Sequence, residues 1–230
     1  MMILDILYDS LKYSFSNPKN ILKLGLFELF SIFFIPSFFV SGYQYKIIKH
    51  SLNLMIHENT QMVELNGFKE LFINGIKLYF VKFVYLIIPL FLMLLLRLDI
   101  IQGLSYLSLF TVLFVVMYCY SYVAIAHMIR HDSVRKAFNL KEITNIILNG
   151  IGVRVLVGIL IGFIIIYGGC GLFIDDFAYY LGVIINVRFV IFSHTLSLTS
   201  VVLFLITALF FQPFFHIMVA RISGMAYTDL

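Results

Sequence analysis

Residues 104–128 read LSYLSLFTVLFVVMYCYSYVAIAHM, a run of 25 residues without Asp, Glu, Lys or Arg. A helix rises about 1.5 Å per residue, so about 20 apolar residues cross a hydrocarbon core roughly 30 Å thick. Lipid leaves only helices and closed barrels as spanning structures, and a barrel would show alternating segments of about 10 residues. This long, continuous run therefore predicts a transmembrane helix.

The composition extends this interpretation to the whole chain. Apolar residues make up 62% and charged residues 12%, whereas soluble domains carry about 45–50% apolar and about 25% charged residues. The formal net charge is +4, and the basic residues cluster beside the apolar runs. This placement indicates anionic lipid headgroups rather than nucleic acid as the partner of the basic face.

Three more runs are long and apolar enough to cross a bilayer. They cover residues 78–96, 151–174 and 196–220. With the first run they predict an all-α polytopic bundle of four transmembrane helices, which forms a single domain over residues 1–230 in the cell membrane.

Two stretches are harder to assign. Residues 177–195 are interrupted by Asn186, Arg188 and His194, and we expect them at the membrane interface, with a further crossing as the alternative. Residues 21–40 carry Glu28 and are broken by Pro36, because proline removes a helical hydrogen bond. This segment either turns back as a re-entrant hairpin or crosses once as a kinked helix.

The positive charges favour the re-entrant alternative. It places the N-terminus, residues 43–82, residues 129–154 and the C-terminus together on the cytoplasmic side. All 16 Lys and Arg residues except Arg97 and Arg188 then lie on that side, as the positive-inside rule requires. Residues 3–15 and 67–77 are amphipathic and predict helices that lie on the membrane surface.

A weak internal repeat of helical hairpins is predicted, with units beginning near residues 9, 66 and 132. Asp9-Ser10 matches Asp132-Ser133. Each unit has an Asn helix start followed by a glycine near the mouth of an apolar run; the glycines are Gly25, Gly75 and Gly150. We expect these glycines, with Pro36, Pro89 and Pro213, to act as close-packing or kink positions.

Three polar residues inside apolar segments are candidates for function. Glu28, Gln212 and His216 lie where an ionisable or polar group is costly and is by default a functional hypothesis. The structural alternative is hydrogen bonding across helices or snorkelling to the interface. Lys82 is interpreted in the second way, as a snorkelling residue at a segment mouth.

The chain lacks the short motifs of common enzymes. There is no Walker loop, no HExxH and no GxSxG, so no catalytic residue, cofactor or metal ligand is predicted and the protein is expected not to be an enzyme.

Several positions together carry a family resemblance. They are Phe15-Ser16-Asn17, Leu22, Gly25, Pro36, Gly42-Tyr43, Lys46, Lys49, Phe68, Leu71-Phe72, Gly75, Lys77, Tyr85, Pro89, Arg221, Gly224 and Tyr227. With these residues the chain resembles an archaeal multi-pass membrane family catalogued as domain of unknown function 4013. The connector Glu64-Leu65-Asn66-Gly67 departs from the family pattern, since it lacks the usual Trp. The resemblance implies a multi-pass membrane protein. It does not indicate any activity, because none is known for the family.

The leading expectation is a non-enzymatic scaffold, assembly factor or accessory protein with the lipid bilayer as one partner. A membrane protein or a second copy of the chain is a further possible partner. The alternative is a small transporter or channel-like permease with Glu28, Gln212 and His216 on its pathway, and the third hypothesis is a lipid-active enzyme.

Overall fold

The computed structural model describes residues 3–53, 61–97, 104–164, 188–191 and 194–228. Its helices are α1 (Ile3–Phe15), α2 (Pro18–Leu29), α3 (Ile35–Ser51), α4 (Phe68–Arg97), α5 (Leu104–Arg130), α6 (Leu140–Leu148), α7 (Ile151–Phe163), α8 (Leu198–Ile206) and α9 (Gln212–Thr228). A five-residue π turn, Thr207–Phe211, joins α8 to α9. The predicted helical class is confirmed over nearly all of this part of the chain. The exception is an antiparallel hairpin of β1 (Arg188–Ile191) and β2 (His194–Ser197).

Three helical stretches are long and apolar enough to cross a membrane: Phe68–Leu92, Leu109–Arg130 and Phe204–Thr228. The described residues therefore contain three such helices, fewer than the four predicted. In the predicted fourth segment, α7 has 13 residues, and α6 and α7 meet at 73° and could form at most one broken span. Residues 165–174 of that segment, like most of 177–195, lie outside the described residues.

Helix α4 begins ten residues earlier than the sequence predicts. Residues 67–77 are not a separate surface helix, because they continue into one helix of 30 residues, Phe68–Arg97, with Pro89 inside it. Gly75 lies within this helix at its crossing with α3, where an added Cβ would overlap the carbonyl oxygen of Phe38. Such small residues let two helix backbones approach closely in lipid.

Helices α2 and α3 form an antiparallel hairpin. The chain breaks at a 3₁₀ turn, Ser31–Phe33, and at Phe34, whose φ of 59° is left-handed. Beyond the break, the Phe27 ring lies 5.2 Å from the Phe39 ring, and Asn20 Nδ2 lies 3.4 Å from the Tyr43 hydroxyl. The chain therefore doubles back here, and α2, at about 18 Å, is too short to cross a bilayer. Both features favour the re-entrant alternative, which stays a prediction.

The hairpin brings distant parts of the chain to one end of the molecule. The backbone N–H of Val63 donates to the Tyr13 hydroxyl at 3.0 Å, and that of Met62 donates to Ser16 Oγ at 3.0 Å. The end of α1 therefore packs on the connector that follows α3. This arrangement agrees with the shared side that the positive charges predict.

Helix α1 packs one face on the protein and leaves an apolar face open. Ile6 and Tyr13 are buried, whereas Leu4, Tyr8 and Phe15 are each more than 60% exposed. An uncovered apolar stripe on a terminal helix is what a helix lying on a membrane presents to lipid.

The repeat stays a prediction, although two of its three helix starts are capped in the same way. Asn17 Oδ1 accepts from the N–H of Asn20 at 3.2 Å, and Asn139 Oδ1 accepts from that of Glu142 at 3.4 Å. Each is an N-cap that satisfies a free donor. The matched glycines differ in role, since an added Cβ at Gly25 would overlap the backbone of Leu209, whereas Gly150 is a turn residue with φ of 95°.

The hairpin predicts that both of its ends face the same compartment. In a chain with Cys119→Ser and Cys170→Ser, the exposed sites Lys19→Cys and Glu64→Cys should react with an impermeant maleimide from the same side. The measurement compares labelling in right-side-out and inverted vesicles. Labelling of the two cysteines from opposite sides would instead show that residues 21–40 cross the membrane once.

Candidate functional site

A cavity of about 380 Å³ lies between α2, α3, α4, α5 and α9. Its polar lining consists of Glu28, Ser37, Ser41, Gln44, Tyr79, Lys82, Tyr118 and His216. Its apolar lining consists of Val40, Phe83, Leu86, Leu90 and Phe114. Five separate helices therefore contribute to one site, which we call the polar cavity.

The buried ion pair of Glu28 and His216 forms one wall of the polar cavity. Glu28 Oε1 lies 2.5 Å from His216 Nδ1, and the two residues are 188 positions apart in the chain. The Glu28 side chain is 5% exposed and that of His216 is 21% exposed. A carboxylate held against an imidazole makes a strong charge-assisted hydrogen bond when the ring carries the proton.

Lys82, on α4, also lines the polar cavity. Its ammonium donates to Gln44 Oε1 at 2.6 Å and to the Tyr122 hydroxyl at 2.9 Å. It also lies 4.4 Å from the centre of the Tyr122 ring, where the π face attracts a cation. Lys82 therefore does not snorkel to a segment mouth as the sequence suggested, because α4 begins early and carries it well inside the helix.

The polar cavity lies at the middle of the candidate spans. His216 is at the centre of Phe204–Thr228, Lys82 is close to the centre of Phe68–Leu92, and Tyr118 is close to the centre of Leu109–Arg130. Ionisable groups at such depth are rare, and they almost always face a cavity or a partner. An acidic side chain, Glu28, and a basic one, Lys82, thus line the same cavity.

The structure joins two of the three predicted polar candidates. Gln212 lies one helical turn before His216 on α9, but it is not among the residues that line the polar cavity. Pro213 is the second residue of α9 and directly follows the π turn. Proline is tolerated in the first turn of a helix, and π turns are frequent at functional sites.

A second buried charge cluster joins the two ends of the chain. Arg221 Nε and Nη2 donate to Asp9 Oδ2 at 3.1 and 3.0 Å, and Arg221 Nη1 donates to Ser51 Oγ at 3.3 Å. The guanidinium also lies 4.6 Å from the centre of the Tyr13 ring. Burial raises the pKa of the Tyr13 phenol, so it stays protonated at neutral pH. Sequence reasoning missed this cluster, because it placed Asp9 on the exposed face of a surface helix.

A third cluster lies where α5, α6 and α9 meet. His127 Nδ1 lies 2.6 Å from the Tyr227 hydroxyl, and its Nε2 lies 2.9 Å from Glu142 Oε2. Lys136 Nζ donates to both carboxylate oxygens of Glu142. Both ring nitrogens of His127 are thus engaged in holding helices together. Within the described ranges, no group of three or more His, Cys, Asp or Glu side chains could hold a metal ion.

Comparison with known proteins places the chain in a family without assigning it an activity. No curated protein and no solved structure matches it. The family described as Protein of unknown function (DUF4013) matches residues 26–174, more than half of the 230 residues. This match includes Glu28 and Lys82 of the polar cavity, whereas His216 follows it. By the extent of the match, the protein belongs to the DUF4013 family.

Proposed function

We propose that the protein is a small, non-enzymatic permease of the cell membrane and that the polar cavity is its solute site. The observation that carries this proposal is the convergence of Glu28, Lys82 and His216 on one cavity at the middle of the candidate spans. Two of the three polar candidates from the sequence, Glu28 and His216, line this cavity together with Lys82, which the sequence had placed at a segment mouth.

The helix geometry around the cavity supports this role. Membrane transporters commonly bind solute near the bilayer midplane, between broken helices. The α2–α3 hairpin is broken at Ser31–Phe33, and the last span is interrupted by the π turn Thr207–Phe211. A cavity of about 380 Å³ is also within the range of about 300–1,000 Å³ that small-molecule sites occupy.

The Glu28–His216 pair gives the permease a means of responding to solute. A solute that competes for the carboxylate would displace the imidazole. Because buried charges are costly when they lose a partner, the site favours states in which Glu28 is paired either with His216 or with the solute. Solute binding and helix position are thereby coupled.

Glu28→Gln is the variant that tests this proposal. It keeps the shape of the side chain and removes the charge, so we expect solute flux to fall at least tenfold while the protein stays folded. The purified protein in proteoliposomes would be screened for uptake of small anions, cations, zwitterions and sugars. Glu64→Gln, at an exposed position in the connector, is the matched control and should keep full flux. The permease proposal fails if no solute enters, or if Glu28→Gln carries it at the same rate.

A scaffold or accessory role is the second candidate, and the open helix faces favour it. Only 28% of the apolar window in Phe68–Leu92 and 39% of that in Leu109–Arg130 are buried within the chain. Large side chains such as Phe91 and Val112 are about 60% exposed, and either lipid or another membrane protein would cover them. A stoichiometric partner that remains bound in mild detergent, together with normal function of the Glu28→Gln variant, would favour this role over the permease.

A further inference from the structure

The carboxyl of Glu28 and the amine of Lys82 have separate hydrogen-bond partners in the polar cavity. Glu28 on α2 is bound to His216, whereas Lys82 on α4 is bound to Gln44 and Tyr122. Each charged group lines the cavity while a neutral or weakly basic group holds its position. The cavity thus presents one negative and one positive group to an occupant.

This pattern of charge discriminates among small ligands. A simple cation would be attracted by Glu28 and repelled by Lys82, and a simple anion would meet the reverse. Because both groups are largely withdrawn from water, water screens these repulsions only weakly. A ligand with one charge of each sign can pair with both groups and brings no net charge into the membrane.

The remainder of the lining indicates what else the ligand carries. Phe83, Leu86, Leu90 and Phe114 form an apolar surface next to the charged groups. An alkyl or aromatic group would gain about 25 cal/mol per Å² of apolar area removed from water there. A very polar remainder, such as a sugar, would lose its hydration without replacement where it met these four side chains.

We infer that the polar cavity binds a small zwitterion with an apolar side chain, of the amino-acid class, with its ammonium at Glu28 and its carboxylate at Lys82. This inference rests on the proposed permease function, for which it names the class of solute. It commits each end of the ligand to one residue and therefore predicts how selectivity changes when that residue loses its charge.

The test uses three compounds that share one carbon skeleton: L-leucine, isocaproate, which lacks the ammonium, and isopentylamine, which lacks the carboxylate. Binding to the full-length protein in lipid nanodiscs is measured by calorimetry. We expect leucine to bind at least tenfold more tightly than either analogue. Equal affinity for leucine and one of the analogues, or no binding of any of the three, would overturn the inference.

Variants then assign the two ends of the ligand. Glu28→Gln should reduce the preference for leucine over isocaproate at least tenfold, and Lys82→Gln should reduce its preference over isopentylamine by a similar factor. Lys69→Gln, an exposed residue in the first turn of α4, is the control and should leave both preferences unchanged. If Glu28 and Lys82 had a purely structural role, their replacement would weaken the binding of all three compounds by the same factor. That result would contradict the assignment.

The outcomes separate this inference from the proposed function. If another class of solute crosses the membrane in a Glu28-dependent way while leucine does not bind, the permease proposal stands and the inferred class of solute is wrong. If leucine binds with the predicted selectivity but no solute is carried, the zwitterion site stands and the permease role is wrong.

Discussion

Arg221→Met should lower the free energy of unfolding by about 3–5 kcal/mol, because it leaves the Asp9 carboxylate buried without its cation. Both side chains of this ion pair are 0% exposed. Loss of the guanidinium also removes the hydrogen bond to Ser51 and the contact with the Tyr13 ring. The measurement is reversible unfolding in mixed micelles, with the transition followed by circular dichroism.

Two further variants separate the ion pair from general effects at Arg221. Arg130→Met removes an exposed arginine at the end of α5 and should change stability by less than about 0.5 kcal/mol. Adding Asp9→Leu to Arg221→Met should recover part of the loss, because a buried pair replaced on both sides is often neutral. If Arg221→Met and Arg130→Met destabilised the protein equally, the Asp9–Arg221 pair would not be a stabilising contact.

Gly75→Val should destabilise the protein by roughly 3 kcal/mol, at the upper end of what overpacking costs. An added Cβ would overlap the Phe38 carbonyl oxygen, so α3 and α4 must move apart. These helices carry Gln44 and Lys82, and we therefore expect the same variant to weaken leucine binding at least tenfold. Thermal unfolding and calorimetry measure the two effects.

The control for Gly75→Val lies on the same helix. Ile73 is 47% exposed, and Ile73→Val introduces the same side chain on an open face. We expect this variant to change the free energy of unfolding by less than about 0.5 kcal/mol. Normal stability of Gly75→Val would mean that α3 and α4 do not pack at this glycine.

Composition and hydropathy predict the helical class and three of the spans, because these properties depend on each segment alone. They also identify Glu28 and His216 as unusual for their surroundings. They do not predict that the two side chains meet, since 188 residues separate them and each is a single polar group in an apolar run. Pairing of this kind is decided by helix packing, which hydropathy does not report.

The error at Lys82 has a different physical source. Hydropathy places the start of this apolar segment at residue 78, because Lys69, Glu70 and Lys77 lower the local hydropathy. The helix continues through these residues to Phe68, so Lys82 is displaced by more than two turns from the mouth where it was placed. Charged side chains at helix ends do not terminate a membrane helix, since their long stems reach the interface.

The ion pair between Asp9 and Arg221 has a consequence for biosynthesis. The two residues are 212 positions apart, and a ribosome adds about 5–20 residues per second. Arg221 is therefore synthesised roughly 10–40 s after Asp9. During that interval α1 can already pack on the connector through Tyr13 and Ser16, and its apolar stripe can lie on the membrane. Pairing of Asp9 with its cation is thus among the last steps of assembly, and a chain truncated before Arg221 would present an incompletely docked N-terminus to the quality-control machinery of the cell.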